Sequence, residues 1–222
     1  MPVVIPLSAP GEPTIVVVKL GGSLLDLPDL KRVVQSILDQ RPRPDYAPLF
    51  VVGGGRAADM VREWDRLHRL GEEASHALAL EAMTLNEAFL QRLIPEMGLV
   101  RNRQQFESIT RAGGIPLLCV GCFLKWAEVK GGATIPPPLP HTWDVTSDSI
   151  AAWVAACLAA QELILVKSVD VPGGMSSAAA ADGEFVDVYF PELANRIPAI
   201  GWMNARAGAL VIEPWLPVKA LL

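Results

Sequence analysis

Cysteine and histidine are scarce, three of each, and neither clusters in a way that completes a structural zinc site. Cys119 and Cys122 do have C-x-x-C spacing. Cys119 closes an apolar run with the character of a buried strand, so these two and Cys157 are expected as reduced thiols in a cytoplasmic protein. Basic residues are in deficit, with 19 Lys and Arg against 24 Asp and Glu and a formal net charge of -5. No basic face is available to release counterions from a nucleic-acid backbone, so DNA and RNA are excluded as expected partners. Long uninterrupted apolar runs are also missing. The one span of membrane-crossing length, Ser149 to Val166, is broken by Gln161 and Glu162 and has Asp144 and Asp148 at its entrance. It suits a buried helix followed by a buried strand, not a membrane helix. The start is interrupted by Pro2, Pro6, Pro10 and Pro13 and has no positively charged region ahead of an apolar stretch, so no signal peptide is expected. No G-x-x-x-x-G-K followed by Ser or Thr occurs, and no G-x-G-x-x-G follows the first strand, which excludes those two phosphate-binding loops.

What is present is apolar surface. The chain has 222 residues, 51% of them hydrophobic, enough for one large α/β domain in which burial offsets conformational entropy. Residues 1–13 form a Pro-rich leader. Thr14 to Leu20 is a β-branched run closed by Gly21-Gly22, and a helix is expected from about Pro28 to Gln40. The pattern recurs, with a strand over Pro48 to Val52, the turn Gly53-Gly54-Gly55, and a helix from about Arg56 to Arg69. Strand, glycine turn and helix twice over imply a parallel sheet. Apolar residues at helical spacing predict a long amphipathic helix over Glu72 to Ile94, whose apolar surface exceeds what one sheet face needs and so predicts a homodimer or higher assembly. A helix over Gln104 to Arg111, a strand over Gly114 to Val120 and a surface loop over Lys130 to Pro140 follow. Thr146, Ser147 or Asp148 can cap a helix running to Ala160. Beyond it come a strand over Glu162 to Lys167, a small flexible turn over Met175 to Gly183, a short helix near Pro191 to Asn195 and a last strand over Ala209 to Ile212.

The chemistry lies at the strand ends. Glycine turns after parallel strands leave bare backbone amides at the carboxyl edge of the sheet, where α/β folds bind ligands, and the following helix N-terminus favours an anion. Lys19 stands on the first strand, two residues before Gly21-Gly22-Ser23. A lysine inside an otherwise apolar strand is costly to bury unless an anion meets it there.

Four segments in order carry a resemblance: Val18-Lys-Leu-Gly-Gly-Ser-Leu24, Val51-Val-Gly-Gly-Gly55, Asp144-Val-Thr-Ser-Asp-Ser-Ile-Ala-Ala152, and Leu163-Ile-Leu-Val-Lys-Ser-Val-Asp170. They resemble the amino acid kinase superfamily, and the likeness spans nearly the whole chain. It implies a three-layer αβα sandwich with a mainly parallel, doubly wound sheet, the acceptor bound by the N-terminal half and ATP by the C-terminal half. It implies an ATP-dependent kinase acting on a small molecule. Lys19 would stabilise the transferring phosphoryl group, and Gly21, Gly22 and Ser23 would donate to the ATP phosphates. Gly53, Gly54 and Gly55 would hold the acceptor. Asp148 would orient the lysines, and Lys167, with Ser168 and Asp170 following, would reach the nucleotide. Phosphoryl transfer needs alignment and positive charge more than covalent chemistry, so this division of labour is coherent. Magnesium would bridge the ATP oxygens, with few protein ligands and no dedicated protein metal site.

Trp64-Asp-Arg-Leu-His68, Ser75-His-Ala-Leu-Ala-Leu-Glu-Ala-Met83 and His141-Thr-Trp-Asp-Val-Thr-Ser-Asp148 are most similar to the branch of that superfamily that phosphorylates aminomethylfuranylmethyl phosphate in methanopterin biosynthesis. Its acceptor is an amine-bearing phosphate monoester. Arg56, Arg62, Asp65, His68, His76 and Asp144 are of types able to recognise such groups. A nucleoside monophosphate or an isoprenoid phosphate is the alternative acceptor, and a non-catalytic binding or regulatory protein of the same fold is the alternative class. Two places depart from the superfamily pattern. Gly201-Trp-Met-Asn-Ala-Arg206 has no lysine where many members carry one, leaving Arg206 or Lys167 to take its part, and Val-Pro-Gly-Gly-Met175 follows Asp170 in place of Gly-Val-Tyr.

Overall fold

The computed structural model describes residues 13–130 and 136–216, the side chains of 128–130 excepted. Seven strands form one sheet: β1 (Thr14–Leu20), β2 (Tyr46–Val52), β3 (Met97–Val100), β4 (Ile115–Leu118), β5 (Glu162–Lys167), β6 (Ala199–Asn204) and β7 (Glu213–Leu216). Their spatial order is β3-β4-β2-β1-β5-β6-β7. All neighbours pair in parallel except β6 and β7. The helices are α1 (Leu30–Gln40), α2 (Gly55–His68), α3 (Glu72–Leu93), α4 (Arg103–Arg111), α5 (Val120–Lys130), α6 (Ser147–Cys157), α7 (Ser177–Asp182) and α8 (Phe190–Ala194).

Side chains on a strand alternate between faces, and the two faces of this sheet bury separate apolar clusters. Ile15 and Val17 of β1 and Leu163 and Leu165 of β5 face α6 and α8, whose Trp153, Ala155, Phe190 and Leu193 cover them. Val16, Val18 and Leu20 of β1 face α1, which packs Leu30, Val33, Val34 and Ile37 against them. Helices on both faces of a mainly parallel sheet make the expected three-layer sandwich. Period two also puts Lys19 and Lys167 on the α6 face. Strand β1 lies between β2 and β5, so the chain winds away from it in both directions and leaves a crevice at its carboxyl end.

Several local expectations are corrected. Helix α1 begins at Leu30, two residues late, because Gly22–Asp26 forms a 3-10 turn first. The stretch expected as a flexible turn holds α7, capped by Ser176 Oγ accepting from Ala179 N at 3.2 Å and built of alanines, the best helix formers. Helix α6 stops at Cys157, and Ala159 leaves it with φ +47°. The last strands are β6 and β7, not Ala209 to Ile212. Gly201 interrupts the apolar pattern of β6, and its missing side chain is the space into which Ile212 packs, 2.9 Å from where a Cβ would stand. Strand β3 and helix α5 carried no local signal. Cys119 and Cys122 are paired as a disulfide, not held as two thiols, because α5 starts at Val120 and brings positions three apart together, with Cα atoms 5.3 Å apart. Cys157 is the free thiol among the described residues, and burial pushes its pKa up to about 12. Residues 1–12 of the leader and 131–135 of the expected surface loop lie outside the described residues.

Candidate active site

Lys19 ends the apolar run of β1 and Lys167 ends β5. Lys19 pairs in register with Leu165, so Lys167 stands two residues further toward the carboxyl edge on the adjacent strand and on the same face. Both meet one carboxylate. Asp148, in the first turn of α6, has Oδ1 2.8 Å from Lys19 Nζ and Oδ2 2.6 Å from Lys167 Nζ. Lys167 Nζ also donates to the Phe185 carbonyl at 2.8 Å. Lys19 is 3% exposed and Asp148 4%, and the Lys167 side chain is 15% exposed, so the cluster is largely held out of water. Burial alone would raise the Asp148 pKa, but the two lysines outweigh it and hold the carboxyl below its usual range. For Lys167, burial and the repulsion of Lys19 outweigh the attraction of Asp148 and bring its pKa down to about 8. The cluster therefore carries two cations on one anion, an excess of positive charge at the edge of the sheet.

The N-terminus of α6 that delivers Asp148 is fixed by a residue that sequence reasoning missed. Asp187 accepts from Thr146 N at 3.1 Å, Thr146 Oγ1 at 2.9 Å and Ser149 N at 2.9 Å, and from Ser149 Oγ. Burial, then the nearby charge of Asp148, push the Asp187 pKa up. It lies far along the chain from α6 in an irregular segment, where no periodicity marks it.

The two glycine turns meet each other. Gly21 N donates to Val166 O at 2.9 Å and Gly53 N to Leu20 O at 2.9 Å, tying both turns to neighbouring strand ends. A Cβ on Gly22 would stand 2.1 Å from Gly55 N, and Gly55 itself has φ +48°. Only glycines permit this approach. The second turn is also held from α3, where buried Asn86 donates through Nδ2 to Gly53 O at 2.7 Å and Gly54 O at 2.9 Å. Asn86 carries no mark in the sequence, because one polar residue in a long helix gives no signal until its partners are known.

Beside the turns lies a cleft of about 190 Å³. Gly54 and Gly55 at the start of α2 and Thr146 and Ser147 at the start of α6 form one wall, and Leu80, Met83 and Trp143 form an apolar wall. Two helix N-termini of 14 and 11 residues thus face one space, an arrangement that favours an anion. Arg62 lines the cleft with its guanidinium 4.6 Å from the centre of the Trp143 ring. Trp143 Nε1 donates to Asp65 Oδ2 at 2.9 Å, and this bond holds the Asp65 carboxyl below its usual pKa. His76 lines the cleft and stacks on His141 with ring centres 4.0 Å apart.

Of the residues expected at the site, Lys19, Asp148 and Lys167 come together, and Gly22 touches Gly55. Gly53 is buried against Ser147, 2.7 Å from where its Cβ would be. Gly21 is buried, Ser23 exposed in the 3-10 turn, Ser168 half-buried and Asp170 exposed beyond β5. Two are turned elsewhere. The Arg56 side chain is 85% exposed and pairs with Asp26 at 2.9 Å. Asp144 is exposed, and its carbonyl accepts from Tyr189 N at 3.1 Å. Among the described residues no group of three or more His, Cys, Asp or Glu side chains is placed to hold a metal ion, and no helix is long and apolar enough to cross a membrane.

A doubly wound sandwich with paired lysines and glycine turns at its carboxyl edge defines a phosphoryl-transfer scaffold, and comparison with known proteins gives the family. Residues 14–173 match the model of the amino acid kinase family, and the chain belongs to it. It is a kinase that acts on a small molecule, and the family implies ATP as its co-substrate. Among characterised relatives, the [5-(aminomethyl)furan-3-yl]methyl phosphate kinase of Methanocaldococcus jannaschii is 25% identical over 166 residues, 71% of this chain and 70% of the relative. Solved structures share the fold at lower identity. The uridylate kinase of Archaeoglobus fulgidus is 18% identical with a TM-score of 0.55, covering 91% of each chain. The UMP kinase of Ureaplasma parvum is 14% identical with a TM-score of 0.56, covering 88% of this chain and 92% of its own.

Proposed function

We propose that the protein transfers the γ-phosphoryl group of ATP to an amine-bearing phosphate monoester of the [5-(aminomethyl)furan-3-yl]methyl phosphate type, giving a diphosphate and ADP. The observation that carries this reading is the convergence of Lys19 and Lys167 on Asp148 beside a cleft walled by two helix N-termini. An acceptor phosphate would sit at the starts of α2 and α6. One of its oxygens attacks the γ-phosphorus in line, the bond from that phosphorus to the β,γ-bridging oxygen breaks, and ADP leaves with the electron pair. A phosphate monoester is mostly dianionic at neutral pH, its second pKa being about 6. Its oxygen needs no general base, which suits a site whose carboxylate is already engaged by two lysines. Lys19 and Lys167 stabilise the charge on the transferring group, and Asp148 keeps both aligned and apart. Gly22 and Ser23 donate to the ATP phosphates, Gly21 fixing their turn through its bond to Val166 O, with Ser168 and Asp170 toward the nucleotide. Gly54 and Gly55 hold the acceptor, Gly53 fixing their turn through Leu20 O and Asn86, with Arg62 in place of the outward-turned Arg56. With Asp148 taken up by lysines, magnesium would ride on the ATP oxygens and neutralise their charge.

The acceptor class is supported by the 25% identity to the Methanocaldococcus kinase. The leading test is phosphorus NMR of the full chain with ATP, magnesium and the furan phosphate. Appearance of a new diphosphate in step with ADP supports the reading. ATP consumed with UMP or an isoprenoid phosphate, and not with the furan phosphate, would replace it.

A cytoplasmic setting and a homodimer complete the proposal. Leu78, Leu85 and Phe89 of α3 are exposed, Leu85 by 62%, and their spacing puts them on one stripe. A monomer by light scattering would remove the dimer.

A further inference from the structure

The largest of the cavities described, about 450 Å³, lies between α3 and α5 and adjoins the cleft. The two spaces share His76 and Leu80 as lining residues. His76, Leu80, Met83 and Glu87 succeed one another at helical spacing along one face of α3, so one stripe runs from the cleft into the cavity. Arg101, Lys125 and Glu81 at the mouth are exposed. Its buried charge-bearing residue is Glu87, 1% exposed. Glu87 Oε1 accepts from Val120 N at 3.0 Å, whereas Oε2 is buried with no hydrogen-bond partner. A buried carboxyl oxygen without a partner is expensive.

We propose that this cavity receives the ammonium end of the acceptor, with Glu87 Oε2 as the group that selects an amine. The proposal deepens the acceptor reading above and rests on it for the identity of the molecule. The phosphate is held at the starts of α2 and α6, the ring lies along Leu80 and Met83, and the ammonium donates to Glu87 Oε2, one helical turn beyond Met83. A charged hydrogen bond in a buried place is the strongest way to distinguish an amine from a methyl group, because the wrong ligand leaves the carboxyl unpaired.

The test uses the full chain and two measurements. Calorimetry with furfurylamine, which carries the ring and amine but no phosphate, reads the cavity whether or not turnover occurs. Binding is expected to weaken at least tenfold in Glu87→Gln, with thermal unfolding confirming that the variant is folded; equal binding by both proteins overturns the proposal. The second measurement compares kcat/KM for the amine-bearing furan phosphate and for its analogue with methyl in place of aminomethyl. At least tenfold preference for the amine, falling to within about threefold in Glu87→Gln, supports the assignment, and an undiminished preference contradicts it. If neither acceptor is phosphorylated, the acceptor reading falls, and the furfurylamine result alone decides the role of Glu87.

Discussion

Asp148 and Glu87 are buried to similar depth, 4% and 1% exposed, yet their environments shift the two acids in opposite directions. Asp148 stands between two lysines and stays ionised below the usual range. Burial instead raises the Glu87 carboxyl from the ordinary 4.5 to about 7, with a backbone N–H and the more distant Arg101 offsetting only part of the rise. Depth therefore does not decide whether an acid is charged; the partner does. One carboxylate organises cations already inside the protein, and the other has an oxygen left for something outside it.

The sharpest way to break this contrast is Asp148→Asn, which leaves two buried lysines facing each other. Loss of about 3–5 kcal/mol in chemical denaturation is expected. Gly22→Ala comes next. Its Cβ would lie 2.1 Å from Gly55 N and 2.4 Å from Gly55 Cα, both backbone atoms, so the glycine turns must part. A loss of about 1–3 kcal/mol is expected, with an activity loss exceeding what the remaining folded fraction explains. Glu87→Gln sharpens the other half. A carboxyl raised from 4.5 to about 7 holds its proton in the folded chain while the unfolded chain has lost it. Wild-type stability therefore falls as pH rises through that window, by up to about 1.4 kcal/mol per pH unit more than that of Glu87→Gln, which keeps every other titrating group. Denaturation curves at a series of pH values measure the slope. The smallest effect belongs to Arg56→Ala, whose exposed pair with Asp26 contributes under about 0.5 kcal/mol.

The sandwich was legible because its signals are local. β-branched runs closed by glycine mark β1 and β2, and helical spacing marks α3. Lys19 was legible because a charge interrupts an apolar strand near its end, and Asp148 and Lys167 through the resemblance of their segments to the kinase superfamily. Gly201 and the four-residue β3 were not, since a short strand defined by its neighbours has no pattern of its own. Asp187 and Asn86 escaped for a related reason. Their partners are backbone groups brought near only by the finished fold, so each looks in sequence like any polar residue. Arg56 shows the reverse error, a suitable residue type beside the right turn whose helix position points it to solvent.

The claim on which the rest depends is that Lys19 and Lys167 act together on the phosphoryl group in transit. Single-turnover transfer from γ-labelled ATP to the furan phosphate, with wild type and Lys19→Met, tests it most directly. The paired site predicts a fall of about 10³-fold in the transfer rate, with ATP affinity changed by less than about tenfold. Transfer by Lys19→Met within threefold of wild type would contradict it.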